Sequence, residues 1–374
     1  MVADSLRNPA LHILARLGGQ PATPFYETGA ARVVRETLDQ AGIPFVVDQY
    51  GNIIARVPGQ DPGVPPLALV AHLDHPGFES LSTHQGLLVA KARGGVPAGG
   101  FNAGVPVQAV LADGRRLSGI IEGRHGLESE RQVLIKLLQR EPVPLPCSIV
   151  FDLVDFTVDG EYVRMRAADD LAGCASILAA LGQLSARHAP GDVYGVFTRA
   201  EEVGLVGAGL VAEQRRLPAD TLVVSVESSR TLPGAEMGGG PVIRVGDAGS
   251  TFNGDAEAVL VRAREVLQSE RPGFKAQRQL MSGGTCEASV FAVHGYKATG
   301  MAFPLGNYHN GGPEERIEAE YIHVQDFLGG VELMVAAARC VPDRGNVAVR
   351  RRLRQTPEEF RQRLLESVAG YGNV

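Results

Sequence analysis

Leu67-Ala68-Leu69-Val70-Ala71 is a short continuous apolar run, and such a run suits a central strand buried on both faces of a sheet. Two further runs share its character, Asp192 to Phe197 and Thr221 to Val226. Each leads into residues able to carry chemistry: His72-Leu73-Asp74-His75 after the first, Glu201-Glu202-Val203-Gly204 after the second, Glu227-Ser228-Ser229 after the third. In open α/β sheets ligands gather just outside the carboxyl ends of strands, so a site is expected at that edge. One acid after a strand means little; an acidic cluster after each of three core strands exceeds what capping accounts for.

A further acidic pair, Asp169-Asp170, stands between an extended stretch (Glu161 to Arg166) and an apolar helix (Leu171 to Leu184). Two carboxylates at such a seam need neutralising, because an unpaired buried charge is costly, and a metal is the first candidate. The competing reading makes either residue an N-cap of the helix, favoured by its dipole. Glu201 and Glu202 likewise read as first-turn helix residues, and His72 with Asp74 as a turn. In an extended backbone, however, residues two apart point to one face, so Asp74 is expected to accept from the imidazole of His72 and fix which nitrogen faces outward. One more histidine, His309, follows a strand expected over Tyr296 to Phe303.

The strand-end set is therefore His72, Asp169, Glu202, Glu227 and His309, with Asp74 and Glu201 as close neighbours. Two imidazoles and three carboxylates are what two zinc ions, or similar borderline cations, require if one carboxylate bridges. Two such ions about 3.5–4 Å apart hold a shared water, lower its pKa and stabilise the oxyanion of a hydrolysed amide. Glu201, next to a ligand and not needed as one, is the natural general base. A glycosidase would use a carboxylate pair alone and leave both histidines unexplained.

The rest of the chain frames this set. Ser5 to Leu17 and Gly29 to Ala41 have helical periodicity, and Phe45 to Val57 reads as a hairpin. From Glu79 to Tyr162 short alternating segments (Leu87 to Ala92, Val105 to Leu111, Leu117 to Ile121, Ser148 to Val154) are separated by Gly, Pro and Asp-Gly turns. That texture indicates a small β-rich module inserted in an α/β domain. Its Gly94 to Gly100 stretch is read as a flexible loop without the strand-loop-helix context of a phosphate cradle. Pro272 to Gln279 is a polar connector, Met281 to Ala288 a glycine loop opening a short helix, and Val324 to Cys340 a helix closing the domain. The organisation expected is a discontinuous catalytic domain (1–78 and 163–343), an inserted β-rich, barrel-like domain (79–162), and a tail (344–374) with a peripheral helix over Pro357 to Val368. Overall this is an α/β fold, a mixed sheet sandwiched by helices.

With 374 residues, 44% of them hydrophobic and 21% charged, the chain has ample material for a core. Its net charge of −6 gives no argument for nucleic acid. Four scattered cysteines without a CxxC pair fit reduced thiols in a cytosol, and no apolar run approaches the ~20 residues of a membrane span, so a cytoplasmic protein is expected.

Ala71-His72-Leu73-Asp74-His75-Pro76-Gly77-Phe78, Asp169-Asp170-Leu171-Ala172-Gly173-Cys174, Glu201-Glu202-Val203-Gly204-Leu205, Gly283-Gly284-Thr285 and the late His309 occur in the order seen in a known family. From about Pro24 to Cys340 the chain resembles the glutamyl and deblocking aminopeptidases, including the tetrahedral ones, within the clan of di-zinc exopeptidases. The resemblance implies that Asp169 bridges two ions, that His72 and Glu227 complete one, and that Glu202 and His309 complete the other. It implies Asp74 as the residue orienting His72, Glu201 as the base, peptides as substrates, two divalent ions (zinc, with cobalt or manganese as alternatives) and a homo-oligomer. Relatives usually have Asp at the position of Glu227 and often Asp after Gly-Gly-Thr, where this chain has Cys286; the residues around His309 differ as well. His125 in the insertion is read as a surface residue, with reach into a neighbouring subunit's site as the alternative. A carboxypeptidase-like or N-acyl amidohydrolase activity keeps the metals and changes the substrate. A metal-poor binding protein is the reading from another class.

Overall fold

The computed structural model describes residues 8–139 and 141–368. Ser5 to Arg7 of the first expected helix and residues 369–374 of the tail lie outside them. Helices α1 (Pro9–Gly18) and α2 (Thr28–Gln40) open the chain. Asn8 caps α1, its Oδ1 accepting from the N–H of Ala10, and Pro9 follows where no N–H is needed. Strands β1 (Phe45–Val47) and β2 (Ile53–Val57) form the expected antiparallel hairpin, and β3 (Leu67–His72) is buried along its whole length.

The chain then builds a closed barrel from β4 (Gly77–His84), β5 (Leu87–Arg93), β6 (Pro106–Val110), β7 (Arg116–His125), β8 (Gln132–Leu137) and β9 (Cys147–Phe151), ordered β4-β5-β8-β7-β6-β9. Phe78, Val107, Ile121, Ile135, Ile149 and Phe151 fill it. The barrel closes at Phe151. Strands β10 (Thr157–Asp159) and β11 (Tyr162–Met165) already belong to the main sheet, so that sheet resumes inside the range the sequence assigned to the insertion.

After helix α3 (Ala168–Arg187) come β12 (Val193–Thr198), α4 (Val206–Glu213), β13 (Leu222–Arg230), β14 (Val242–Arg244), α5 (Gly254–Glu270), β15 (Gln277–Gln279), α6 (Glu287–Val293), β16 (Lys297–Gly306), β17 (Glu320–His323) and α7 (Val324–Cys340). The polar connector thus carries a strand, β15, which pairs with β14. The sheet runs β1-β2-β12-β3-β13-β16-β17-β11-β10, with β12, β3, β13 and β16 mutually parallel. Parallel pairing puts the carboxyl ends of these four strands on one edge, and there the site lies.

The alternation along β3 explains its continuous apolar run. Leu67, Leu69 and Ala71 join the core beneath α1, α2, α3, α5 and α7, whereas Ala68 and Val70 face the opposite core with Val211 of α4 and Phe291 of α6. The mixed α/β sandwich and inserted barrel are thus present. In the tail, α8 (Ala348–Leu353) and α9 (Glu358–Val368) contain no buried residue.

Candidate metal centre

His72 ends β3 and Thr198 ends β12 in register beside it. Glu201 and Glu202 follow Thr198 in a turn ahead of α4, not in its first turn, because the helix begins only at Val206. Asp74 holds that turn: its Oδ1 accepts from the N–H of Glu201 at 2.9 Å and its Oδ2 from that of Glu202 at 3.1 Å. This corrects the expected contact to His72, whose Nδ1 lies 3.0 Å from the main-chain carbonyl of Asp74 and 3.8 Å from its carboxylate. The chain turns after His72, and the carbonyl reaches the ring first. The consequence for the ring is the same: with Nδ1 at the carbonyl, Nε2 is the nitrogen that faces outward.

Asp169 and Asp170 divide the two readings between them. Both have non-helical backbone (φ/ψ −85°/107° and −122°/34°), so regular helix starts after them. Asp170 acts as the cap, accepting from the N–H of Gly173 at 3.2 Å. Asp169 turns to the sheet edge instead. Its Oδ1 lies 3.4 Å from Nε2 of His72 and its Oδ2 3.7 Å from Nε2 of His309, which is itself 3.4 Å from Glu202. Glu227 sits within β13 rather than past its end, and aims at the same place. Ligand atoms of His72, Asp169 and Glu227 lie within 4.8 Å of one another, as do those of Asp169, Glu202 and His309; His72, Glu201 and Glu202 form a third such group. His125 is in none of these, its ring standing 5.3 Å from that of His84 in the barrel.

The electrostatics say what this cluster lacks. Burial, then Glu287, Asp74 and Asp169, pushes Glu201 up to about 8 against the pull of His72. Burial with Glu201 and Asp169 pushes Glu202 well up, and burial with Glu287 does the same to Glu227. Burial would hold His72 down, yet Glu201, Asp169 and Asp170 outweigh it and push it well up, whereas burial draws His309 down to about 4. Two like charges about 4 Å apart repel by about 4 kcal/mol at an effective dielectric constant of 20. A cap contributes about 1 kcal/mol, so capping does not hold these acids together; a cation would. Oδ1 of Asp169 is buried without a hydrogen-bond partner among the described residues, as a ligand atom would be.

A pH dependence follows. Glu201 titrates near 8 in the fold against an ordinary value of 4.5, so between these values the folded chain holds a proton that the unfolded chain has lost. The stability from the neutral carboxyl is complete below about 4.5 and lost as pH rises through 8; the raised His72 acts in the same sense. Metal-stripped protein is expected to melt at lower temperature at pH 9 than at pH 6, with added zinc abolishing the difference. Equal melting temperatures of stripped protein would count against the cluster as drawn.

Several contributors escaped the sequence reading. Glu287, fully buried behind Glu227, accepts from Ser225 Oγ at 2.8 Å and Thr198 Oγ1 at 3.3 Å. Glu320 of β17 is also fully buried, close to Asp169 and His309. The stretch read as a flexible loop is instead pressed into the site. The carbonyl of Gly95 accepts from Nδ1 of His309 at 3.0 Å. A Cβ on Gly95 would collide with that imidazole, and one on Gly94, at φ +79°, would press on Glu202. Glycine is needed there for close approach, a signal the sequence did carry. The pocket is lined also by Arg244, Met281, Thr285, Cys286 and Tyr308.

Residues 147–332 match the sequence model of the M42 glutamyl aminopeptidases. A putative aminopeptidase of Acetivibrio thermocellus is 26% identical over 190 residues, 49% of this chain and 53% of that relative, so the chain spans about half the length of the curated relative it matches. Among solved structures, the dodecamer PhTET1-12s is 25% identical with a TM-score of 0.72, covering 88% of this chain and 98% of its own. The aminopeptidase APDkam598 of the archaeon Desulfurococcus kamchatkensis has the same fold, with a TM-score of 0.76 at 22% identity over 91% of this chain and 98% of its own. Sequence model, fold and the ordered strand-end motifs agree in what the chain is similar to: the M42 glutamyl aminopeptidases, whose sequence model residues 147–332 match.

Proposed function

We propose that this protein is a metal-dependent aminopeptidase that removes N-terminal residues from peptides. The observation that carries the reading is Asp169, whose two oxygens face His72 and His309 separately while one of them has no hydrogen-bond partner among the described residues. In this reading Asp169, His72 and Glu227 would hold one ion, and Asp169, Glu202 and His309 would hold the other. Zinc is the metal that two imidazoles and three carboxylates suit, with cobalt or manganese as alternatives. When bound, a pair of divalent cations supplies an acidified water and a positive field for the charge developing on the scissile carbonyl oxygen. Glu201, held in place through its main chain by Asp74, would serve as the general base, its carboxyl taking up a proton and giving it to the leaving amine.

The pocket supports a finer reading. Arg244 is 3% exposed, lines the wall near Glu227, and its Nε has no hydrogen-bond partner among the described residues. A buried guanidinium with an unused donor is suited to a carboxylate, so the preferred N-terminal residue is acidic, in keeping with the name of the family. The domains are proposed as a discontinuous catalytic domain that includes β10 and β11, an inserted barrel domain from β4 to β9, and the tail 344–374. The protein is proposed to act in the cytoplasm as a homo-oligomer. The dodecameric neighbour supports the assembly, and four buried cysteines outside any disulfide support the compartment. No helix among the described residues is long and apolar enough to cross a membrane.

The test is hydrolysis of a panel of aminoacyl-anilides and short peptides by metal-stripped protein with zinc, cobalt or manganese restored. Metal-dependent release of N-terminal residues is expected, glutamyl and aspartyl substrates leading. Cleavage of only N-acylated or C-terminal amides would keep the metals and overturn the substrate class. Arg244→Gln is expected to lower kcat/KM for glutamyl-anilide by ~100-fold while leaving leucyl-anilide little changed, because it leaves the substrate carboxylate buried without its charged partner. An equal loss on both substrates would mean that Arg244 does not select.

A further inference from the structure

Two of the three ligands proposed for the second ion, Asp169 and His309, come from unrelated segments, and neither is presented by regular structure. Asp169 has non-helical backbone at the start of α3. His309 has φ +55° and stands among left-handed neighbours, Asn307 at φ +54° and Asn310 at φ +64°. Left-handed asparagines are tolerated, but a left-handed His needs its surroundings to hold it. The N–H groups of Asp169 and His309 belong to no ladder. Both are taken up by one side chain: Oε2 of Glu320 accepts from Asp169 N–H at 2.9 Å and Oε1 accepts from His309 N–H at 2.7 Å. That carboxylate is fully buried on β17.

We propose that Glu320 is a positioning residue for the metal centre, clamping the main chain of Asp169 and His309 so that their side chains converge on the second ion. The proposal rests on the two-ion reading above for its consequence, though not for the clamp itself. The two anchored segments are not equally dependent on it. Asp169 has another main-chain anchor, since its carbonyl lies 2.7 Å from Nδ1 of His75. The ring of His309 is fixed separately by the Gly95 carbonyl, but its N–H has Glu320 as its partner. Loss of the clamp therefore lets the His309 turn relax while most of the first ion's ligands stay in place. The structure assigns Glu320 to the affinity of the second ion rather than to the first or to substrate.

Glu320→Gln keeps the shape but sets an amide donor against one of the two N–H groups. Two measurements on full-length protein test it: zinc titration of the stripped form by calorimetry, and amide hydrogen exchange of the stripped form across residues 307–310. Wild type is expected to show two binding steps, and the variant to keep the first while its second weakens ~10–100-fold, the range found when residues supporting a metal ligand are removed. Exchange at His309 is expected to accelerate even without metal. An unchanged second step with unchanged exchange overturns the proposal. So does a uniform weakening of both steps with a lowered melting temperature, which would mark general structural support. If the Gln variant does not fold, Glu320→Asp keeps the charge but shortens the reach, and the same two outcomes decide. If wild type takes up no second ion, the two-ion reading fails, and exchange at His309 still decides whether the clamp exists.

Discussion

Replacing Asp169 with Ala is expected to abolish turnover and to weaken uptake of both ions by more than ~100-fold. Losing a residue that merely supports a ligand costs 10–100-fold, and Asp169 would be lost to two ions at once. Its oxygens face His72 at 3.4 Å and His309 at 3.7 Å, and of the five proposed ligands it is the one common to the His72–Glu227 and the Glu202–His309 groups. Calorimetric titration of stripped protein checks it. Two ions bound with wild-type affinity by the Ala variant would remove Asp169 from its bridging place. His72→Ala should instead spare most of the second site, because His72 shares no group with His309.

Glu201→Gln is expected to lower kcat about a thousandfold while leaving both ions bound and KM nearly unchanged, in the range of a lost general base. The amide has the shape of the carboxyl but takes up no proton. The turn that presents it should survive, because Asp74 holds it through the N–H groups of Glu201 and Glu202, and Glu27 accepts from the N–H of Ala200 at 3.0 Å. Only chemistry should change. Steady-state kinetics with metal analysis of the same sample separates the outcomes: if the variant binds fewer ions, Glu201 is a ligand, a place its proximity to His72 at 3.9 Å also allows. If it turns over normally, the base lies elsewhere.

The motifs that carried the sequence reading are short and sit where backbone geometry leaves little choice. A run such as Leu67 to Ala71 must be buried on both faces, parallel neighbours must share its carboxyl edge, and so His72, Glu201, Glu202 and Glu227 were legible as one edge. The histidine after β16 was legible for the same reason. Asp169 and Asp170 were not separable by sequence, since an acid at a helix start serves equally as cap and as ligand; only their contacts separate them, Asp170 accepting from the N–H of Gly173 and Asp169 facing His72 and His309.

The sequence by itself determined the order of the candidate donors along the chain and the edge of the sheet on which they gather, because the two-residue and helical periods are local properties of the backbone. The tertiary structure alone decided what surrounds that set. It brought Glu287 behind Glu227, Glu320 beneath Asp169 and His309, Arg244 to the pocket wall, and the barrel's Gly95 carbonyl onto the ring of His309. These contacts join residues far apart in the chain, and strand register with crossover geometry brings them together. No local period encodes which distant side chain will arrive, and a buried carboxylate or a glycine carbonyl acquires its meaning only from the neighbour it meets.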